Sequence, residues 1–541
     1  MSGDDHTADR HFAADLRAGL VVFLVALPLC LGIASASEAP PFAGLVAGIV
    51  GGVVVGLASG SMLSVAGPAA GLTIIVLEGI HSLGFAAFLT ATMLGGLFQV
   101  VMGSLRMGVL AHFVPNAVIR GMLAAIGLIL VLKQIPHAVG YDADYEGDFT
   151  FVQVDGQNTF SELINSLNYL QPGAIIVTVL GFLGFFIWRD YGKGDRAVKL
   201  TKIAPPHLIV VILGAAAAAA LAATEYLIGP DHFVRIPDIA GAGGLMGLWQ
   251  RPSLDAVTDA AVWHTAAVLA AVASVESLLC VEATDRLDPY HRITPADREL
   301  KAQGLGNIVS GFLGGLPVTA VIVRSYANLQ AGARSRWSAV IHGVILAVAT
   351  LGLASMINQI PLAALAVILL IVGGKLTPPR LYREMWSKGL NQFLPFIATI
   401  VLILVTDLLT GTLLGLAVGV FFVIRDNYRS AFVVTSDGPN RYIRFTANVS
   451  FLNKARLKHV FEEAERGGMV IIDGTQARHV DNDILDTITD FESLAHLRGI
   501  KVEIKCSPGA AHPFFHPKRD ATSTRDARSP AGARNDDRLR P

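Results

Sequence analysis

Long apolar runs broken by short polar stretches occupy the first three-quarters of the chain, and the last quarter changes period. The runs fall near 17–37, 42–59, 68–80, 85–105, 117–136, 172–188 and 206–224, then near 261–282, 304–314, 318–331, 338–356, 361–373, 392–407 and 410–425. Each predicts a helix, because hydrocarbon offers the backbone no water to bond. About 14 membrane segments are expected at this spacing. Two runs, 68–80 and 318–331, are too short to span and hold the third place in each set of seven. They predict a 7+7 inverted repeat, and paired short segments point to a transporter's binding site. From about residue 441 the pattern turns to soluble α/β: strands near 441–451, 469–472 and 500–504, helices near 454–465 and 484–497. The expected organisation is a cytoplasmic arm 1–15, a transmembrane transport domain 16–428, a small α/β domain 429–506 and a disordered tail 507–541.

Composition supports the membrane reading. Of 541 residues, 52% are hydrophobic, 54 are glycine and only 16% are charged, against about 25% charged in a typical soluble chain. A soluble enzyme is excluded by that surface, and a net charge of -1 removes the basic face that nucleic-acid binding needs. The first apolar run is too long for a cleavable leader. Cys30, Cys280 and Cys506 are far apart, so no disulfide, zinc set or other metal or cofactor site is expected. Connection 189–202 is basic, with Arg189, Lys193, Arg196, Lys199 and Lys202, whereas 137–171 holds acids such as Asp142, Asp144, Glu146 and Glu162 and no Lys or Arg. The positive-inside rule then puts both termini in the cytoplasm of an inner (plasma) membrane.

Four features could carry chemistry. Ser64–Gly71 reads Ser-Val-Ala-Gly-Pro-Ala-Ala-Gly, which suits a helix start inside the protein with Pro68 in the first turn and free N–H groups facing an anion. Small residues there also suit close helix packing. Gly314–Ala320 repeats the logic around Pro317, and two opposed starts can hold one anion between them. Glu276 lies within an apolar run, where a carboxylate costs about 2.5–3.5 kcal/mol at a helix centre; it is expected to face a cavity, a partner or a coupling H⁺ or Na⁺. Arg324, placed about two turns into the second half-helix, is expected to neutralise the anion or pair with Glu276. Glu282, Asp407, Arg106, His112, Arg120, Lys133 and His137 lie near segment ends and read as interfacial or snorkelling.

These residues resemble the SulP family of anion transporters over about residues 15–505. The likeness rests on Ala26-Leu-Pro-Leu-Cys-Leu-Gly-Ile-Ala34, Val65-Ala-Gly-Pro-Ala-Ala70, Ser274-Val-Glu-Ser-Leu-Leu279 and Gly314-Gly-Leu-Pro-Val-Thr319 with Arg324. The C-terminal part is similar to a STAS domain through Val470-Ile-Ile-Asp473 and Val480-Asp-Asn-Asp-Ile-Leu485. The resemblance implies gate and core subdomains, an elevator-like motion and a homodimer. It places the anion at Ala66, Gly67, Pro68, Ala69 and Ala70 on one side and Val318, Thr319 and Ala320 on the other. Glu276 takes the place of the family's acid on helix eight. Cys280 stands where Na⁺-coupled members have a hydroxyl, which favours H⁺. Leu29 and Ile33 replace a Gln and an aromatic on helix one, leaving that lining apolar. Asn482 and Asp483 stand where a phosphorylatable Ser or Thr would be, which implies an assembly or regulatory role for the domain. The link Asp285–Pro295 is similar to that of members associated with carbonic anhydrases and leans toward bicarbonate.

The expected function is therefore secondary active transport of a small inorganic anion, bicarbonate or sulfate, coupled to H⁺ or Na⁺, and not an enzyme. An exchanger, an uncoupled anion channel, a sensor, or a dicarboxylate or nucleobase permease are the rivals. A nucleobase would need an acid on helix ten, where this chain has Arg324.

Overall fold

The computed structural model describes residues 4–109, 114–143, 145, 151, 157–191, 204–236, 244–446, 448–477 and 479–505. Cys506, the tail 507–541, His112, most of the basic connection (Lys193, Arg196, Lys199, Lys202) and Asp144 and Glu146 lie outside them. The chain forms two compact units, 1–420 and 421–541, so the division falls within one helix.

The first unit is helical. It begins with α1 (Asp4–Ala36), α2 (Pro41–Val50), α3 (Thr73–Leu83), α4 (Phe85–Ser104) and α5 (Asn116–Val139). There follow α6 (Pro172–Tyr191), α7 (Pro206–Leu221), α8 (Ala260–Leu287), α9 (Ala296–Phe312) and α10 (Ile322–Gln330). The series ends with α11 (Trp337–Gly352), α12 (Leu362–Leu376), α13 (Pro379–Ser387), α14 (Leu390–Val405) and α15 (Leu408–Ser430). Among the described helices, 8 are long and apolar enough to cross a membrane, and shorter apolar helices include α7, α11 and α14. The protein is a polytopic helical membrane protein. Helix α9 starts well before its apolar run because its first turn, with Asp297 and Glu299, is polar and follows Pro295.

The helices of this unit pack in two groups. In one, α4 lies against α8 and α9, and α1 against α2 and α11; in the other, α5 lies against α12 and α14, and α6 against α7. Glycines make the tightest crossings. A Cβ at Gly96 would sit 2.5 Å from the Gly304 carbonyl oxygen and one at Gly304 equally close to Gly96. Gly127 and Gly373 face each other in the same way across α5 and α12. Without a hydrophobic drive between helices in lipid, such close backbone approach supplies the packing energy. After α2 the chain makes a π turn, Gly51–Val55, where a Cβ at Gly51 would collide with the Ala66 backbone.

The second unit contains a four-stranded sheet, β3 (Phe432–Asp437), β4 (Asn440–Phe445), β6 (Met469–Asp473) and β8 (Lys501–Lys505), in the order β3-β4-β6-β8. A short parallel pair, β5 (Asn448–Val449) and β7 (His479–Val480), accompanies it. The hairpin β3–β4 is antiparallel and the inner pairs are parallel. Helices α16 (Lys454–Glu462) and α17 (Asn482–Ala495) pack together, with Phe461 and Phe491 stacked at 4.1 Å between ring centres. Strand β3 was not expected from the pattern. It exists because Gly438, at φ 55°, turns the chain back so that Phe432 pairs with Phe445.

Candidate functional site

The two short segments meet through their backbones. Strand β1 (Ala66–Gly67) pairs antiparallel with β2 (Thr319–Ala320), Ala66 opposite Ala320 and Gly67 opposite Thr319. This corrects the expected helix starts. Ala69 is still extended, with φ -119° and ψ 137°, and a 3-10 turn begins only at Ala70 before α3. Val321 is likewise extended, with φ -116° and ψ 119°, and α10 begins at Ile322. Pro68 and Pro317 thus precede the helices instead of occupying their first turns. The reason is that the paired backbone groups bond across the crossing, so they are not free to bond within a helix. Arg324 consequently lies in the first turn of α10, not two turns in.

Polar side chains from neighbouring helices hold the crossing. The Val65 N–H donates to Ser325 Oγ at 2.9 Å, the Val321 N–H to the Val65 carbonyl at 2.9 Å and the Ala320 N–H to Ser277 Oγ at 3.3 Å. Asn307 of α9 grips Val318 from both sides: its Oδ1 accepts the Val318 N–H at 2.6 Å, and its Nδ2 donates to the Val318 carbonyl at 3.0 Å. The same Nδ2 reaches Gln99 Oε1 at 2.6 Å, and Gln99 Nε2 donates to Ser274 on α8 at 3.3 Å. Buried backbone groups need such partners, and here side chains provide them. The polar pattern of Gln99, Asn307 and Ser310 within apolar helices was the signal for this network, and sequence reasoning passed over it.

The expected site residues converge. Ala66, Val318, Thr319 and Ala320 are buried, as are Gly67, Pro68 and Ala69, with Ala70 half-buried. Leu29 packs in one apolar cluster with Cys280, Ile322 and Val323, and Ile33 in another with Ala66, Leu72 and Val318. Helix α1 therefore lines the crossing with hydrocarbon. Arg324 is fully buried. Its Nη2 donates to Cys30 Sγ at 3.3 Å and to the Pro68 carbonyl at 3.5 Å, while Nε and Nη1 have no partner among the described residues. A Cβ on Gly67 would lie 1.9 Å from Nη1, so glycine there is what admits the guanidinium.

Helix α8 presents one face to both helix starts. The Gly71 N–H faces the Glu276 carboxylate, where a Cβ on Gly71 would come within 2.9 Å of Oε1. One turn on, the Ile322 N–H faces the Cys280 thiol. The positive end of the first half-helix thus meets a carboxylate of the protein itself. Glu276 Oε2 has no partner, and no ion pair joins Glu276 to Arg324 among the described residues. The space beside Glu276, bounded by Met122, Cys280, Leu408 and Thr412, is about 10 Å³, close to the size of one water. That space is too small for an anion.

Two residues read as snorkelling are instead buried and paired. Lys133 Nζ lies 3.5 Å from Glu162 Oε2, and His137 Nδ1 donates to Asp142 Oδ1 at 2.5 Å. His232 Nδ1 takes the other Asp142 oxygen. Burial pushes the Asp142 carboxyl up, but hydrogen bonds from the two histidines outweigh it and hold it below its ordinary value. The hydrogen bond to Asp142 raises His232, against the opposing effect of its partial burial. Acids in 137–171 were the visible sign; their partners, distant in sequence, were not.

Comparison with known proteins decides the family. The sulfate permease family matches residues 12–399. The chain belongs to the sulfate permease family. It is 28% identical over 449 residues to the bicarbonate transporter BicA of Picosynechococcus sp., covering 81% of this chain and 75% of BicA. It is 27% identical over 416 residues to the putative sulfate transporter YvdB of Bacillus subtilis, covering 76% and 74%. The transmembrane domain of a cyanobacterial BicA superposes with a TM-score of 0.52 at 26% identity, over 76% of this chain and 98% of that one. The structure of SLC26A9 shares the fold, with a TM-score of 0.67 at 15% identity over 93% and 85%. As a sulfate permease family member the protein is a polytopic anion transporter and not an enzyme.

Proposed function

We propose that this protein carries out secondary active transport of a small inorganic anion, bicarbonate or sulfate, with the anion held at the β1–β2 crossing and Glu276 as the coupling site. The observation that carries this reading is the fully buried Arg324 at the crossing, two of its nitrogens without a partner among the described residues. A guanidinium so placed is a ready partner for an oxyanion. Ala66 to Ala70 and Val318 to Ala320 supply the backbone of the site, and Leu29 and Ile33 its apolar wall. The narrow space beside Glu276 fits a cycle in which one helix group shifts against the other, as core against gate, before the anion enters. Cys280 beside Glu276 offers no hard oxygen ligand, which favours H⁺ over Na⁺ as the coupling ion. A homodimer, cytoplasmic termini and a STAS-like assembly or regulatory role for 429–506 belong to the same reading.

The test is uptake of labelled bicarbonate and sulfate into proteoliposomes under separate H⁺ and Na⁺ gradients, for wild type and Glu276→Gln. Accumulation of one anion that follows one gradient and disappears in the variant is the expected result. Equal flux in both proteins, indifferent to either gradient, would make Glu276 structural and the protein a channel or exchanger.

A further inference from the structure

A polar cavity of about 640 Å³ lies between the two helix groups of the membrane unit. Arg120 of α5 and Arg380 of α13 line it from one group, whereas the ammonium of Lys375 on α12, also in the wall, lies over the Phe185 ring of α6. Arg286 of α8 and His291 of the following turn line it from the other, and Glu384 is the carboxylate among its walls. That carboxylate is already engaged by Arg120 at 2.5 Å and Lys388 at 2.8 Å. Arg286 shares Glu282 through Nε and Nη2, leaving Nη1 without a partner among the described residues. Arg380 and the His291 ring have no partner among the described residues. The walls therefore keep an excess of cationic donors on separate elements.

The turn that carries His291 is built rigidly. His291 has φ 51°, a left-handed conformation unusual for a residue with a side chain. Asp288 holds it there: its carbonyl accepts the His291 N–H at 3.0 Å, and its carboxylate accepts the Tyr290 N–H at 3.0 Å and Arg292 Nε at 2.6 Å. Strained backbone kept by such over-determination suggests a functional position.

We propose that this cavity binds a soluble polyphosphate, a ligand with several linked phosphate groups, and that the bound ligand ties the two helix groups together and arrests transport. The cavity falls in the range of about 300–1,000 Å³ typical of sites for organic-sized ligands, and a single bicarbonate or sulfate fills a small part of it. Three arginines and the His291 ring, on four separate elements, cannot all reach one tetrahedral anion; a chain of phosphates can bridge them, with arginines as bidentate partners. The arrest rests on the transport reading above, whereas binding does not.

The experiment uses tripolyphosphate as probe. Titration calorimetry on the purified full-length protein, at fixed ionic strength, is expected to show saturable one-to-one binding, weakened at least tenfold in Arg380→Ala and in His291→Ala. Both residues are exposed and lie outside the crossing, so both variants should transport normally without the probe. In proteoliposomes, tripolyphosphate on one face should block wild-type uptake and spare Arg380→Ala. Vesicles of neutral lipid alone and with an anionic phospholipid separate the sources of phosphate: unchanged binding in both upholds a soluble ligand, and displacement by the anionic lipid overturns it in favour of a headgroup. Equal binding by wild type and both variants, or binding that vanishes when ionic strength is matched, overturns the site itself. Loss of transport alone, with binding intact, would count against the transport reading and leave the cavity assignment standing.

Discussion

The two halves of the crossing share a backbone plan and differ in chemistry. Each half runs from an extended pair of residues into a short helix, and the halves pair antiparallel. The first half, Ala66 to Gly71, bears no polar side chain; it receives its charge from α8, whose Glu276 faces the Gly71 N–H. The second half carries its own charge in Arg324 and is gripped by Asn307. A repeated backbone device thus supplies pseudo-symmetric positions, while charge is assigned to one side and counter-charge to the other. On the proposed reading, that division would let the site hold an anion near Arg324 without Glu276 neutralising it, since among the described residues no ion pair links the two.

The largest effect should come from the charged half. Arg324→Ala is expected to reduce uptake on the order of 100-fold, matching the loss of a charged hydrogen bond of about 1.5–3 kcal/mol. Gly67→Ala leaves the charge but forces Nη1 to move, because the added Cβ would lie 1.9 Å from it; a loss of roughly tenfold is expected from losing one hydrogen bond's worth of alignment. Wild-type uptake in Gly67→Ala would show that the two halves do not share the guanidinium. Next comes the clamp. Asn307→Ala strands both backbone groups of Val318, at a cost of about 1–3 kcal/mol, and should raise the half-saturating anion concentration several-fold with a smaller change in maximal rate. An equal fall in rate with unchanged saturation would assign Asn307 to folding alone. Gly71→Ala probes the other half: its Cβ would press the Glu276 carboxylate at 2.9 Å. Gradient-driven accumulation should weaken while downhill flux persists, and equal loss of both would remove the division of labour.

The smallest effect lies away from the crossing, in the Asp142–His137–His232 cluster, and serves as a control. His232 is raised above its ordinary value of 6.5 and Asp142 is lowered. For a raised histidine the stabilisation is present in full below the unfolded value and is lost as pH rises through the folded one. The melting temperature should therefore fall modestly as pH climbs above 6.5. Arg235, Asp231, Lys133 and Glu162 are the charged groups nearby in the same region of the fold. A His232→Gln protein with the same pH profile would show that another group titrates.

Legibility in the sequence followed the range of the interaction. The apolar runs are local statements about solvent, so the helices were readable, and so were the strand periods at 469–472 and 500–504, which the structure shows as β6 and β8. The stretches Ser64–Gly71 and Gly314–Ala320 were singled out because small residues and proline at matching places are visible in one dimension. The pairing of Ala66 with Ala320 was not, since a two-residue strand has no period to detect. That error displaced Arg324 by about one turn of helix. Asn307 and Gln99 were overlooked for a similar reason: one amide in an apolar helix says that a partner exists, not that it is the backbone of Val318, 11 residues on.

The sequence by itself determined that the chain lives in a membrane and which residues carry charge within its apolar runs, because these follow from solvation and local backbone preference. The tertiary structure decided what each charge meets. Arg324 turns toward Gly67 and Cys30 instead of Glu276, and Lys133 and His137 turn inward to acids rather than out to water. Those choices depend on which helix faces come together, and that is set by close backbone packing at Gly96, Gly304, Gly127 and Gly373 across the whole unit.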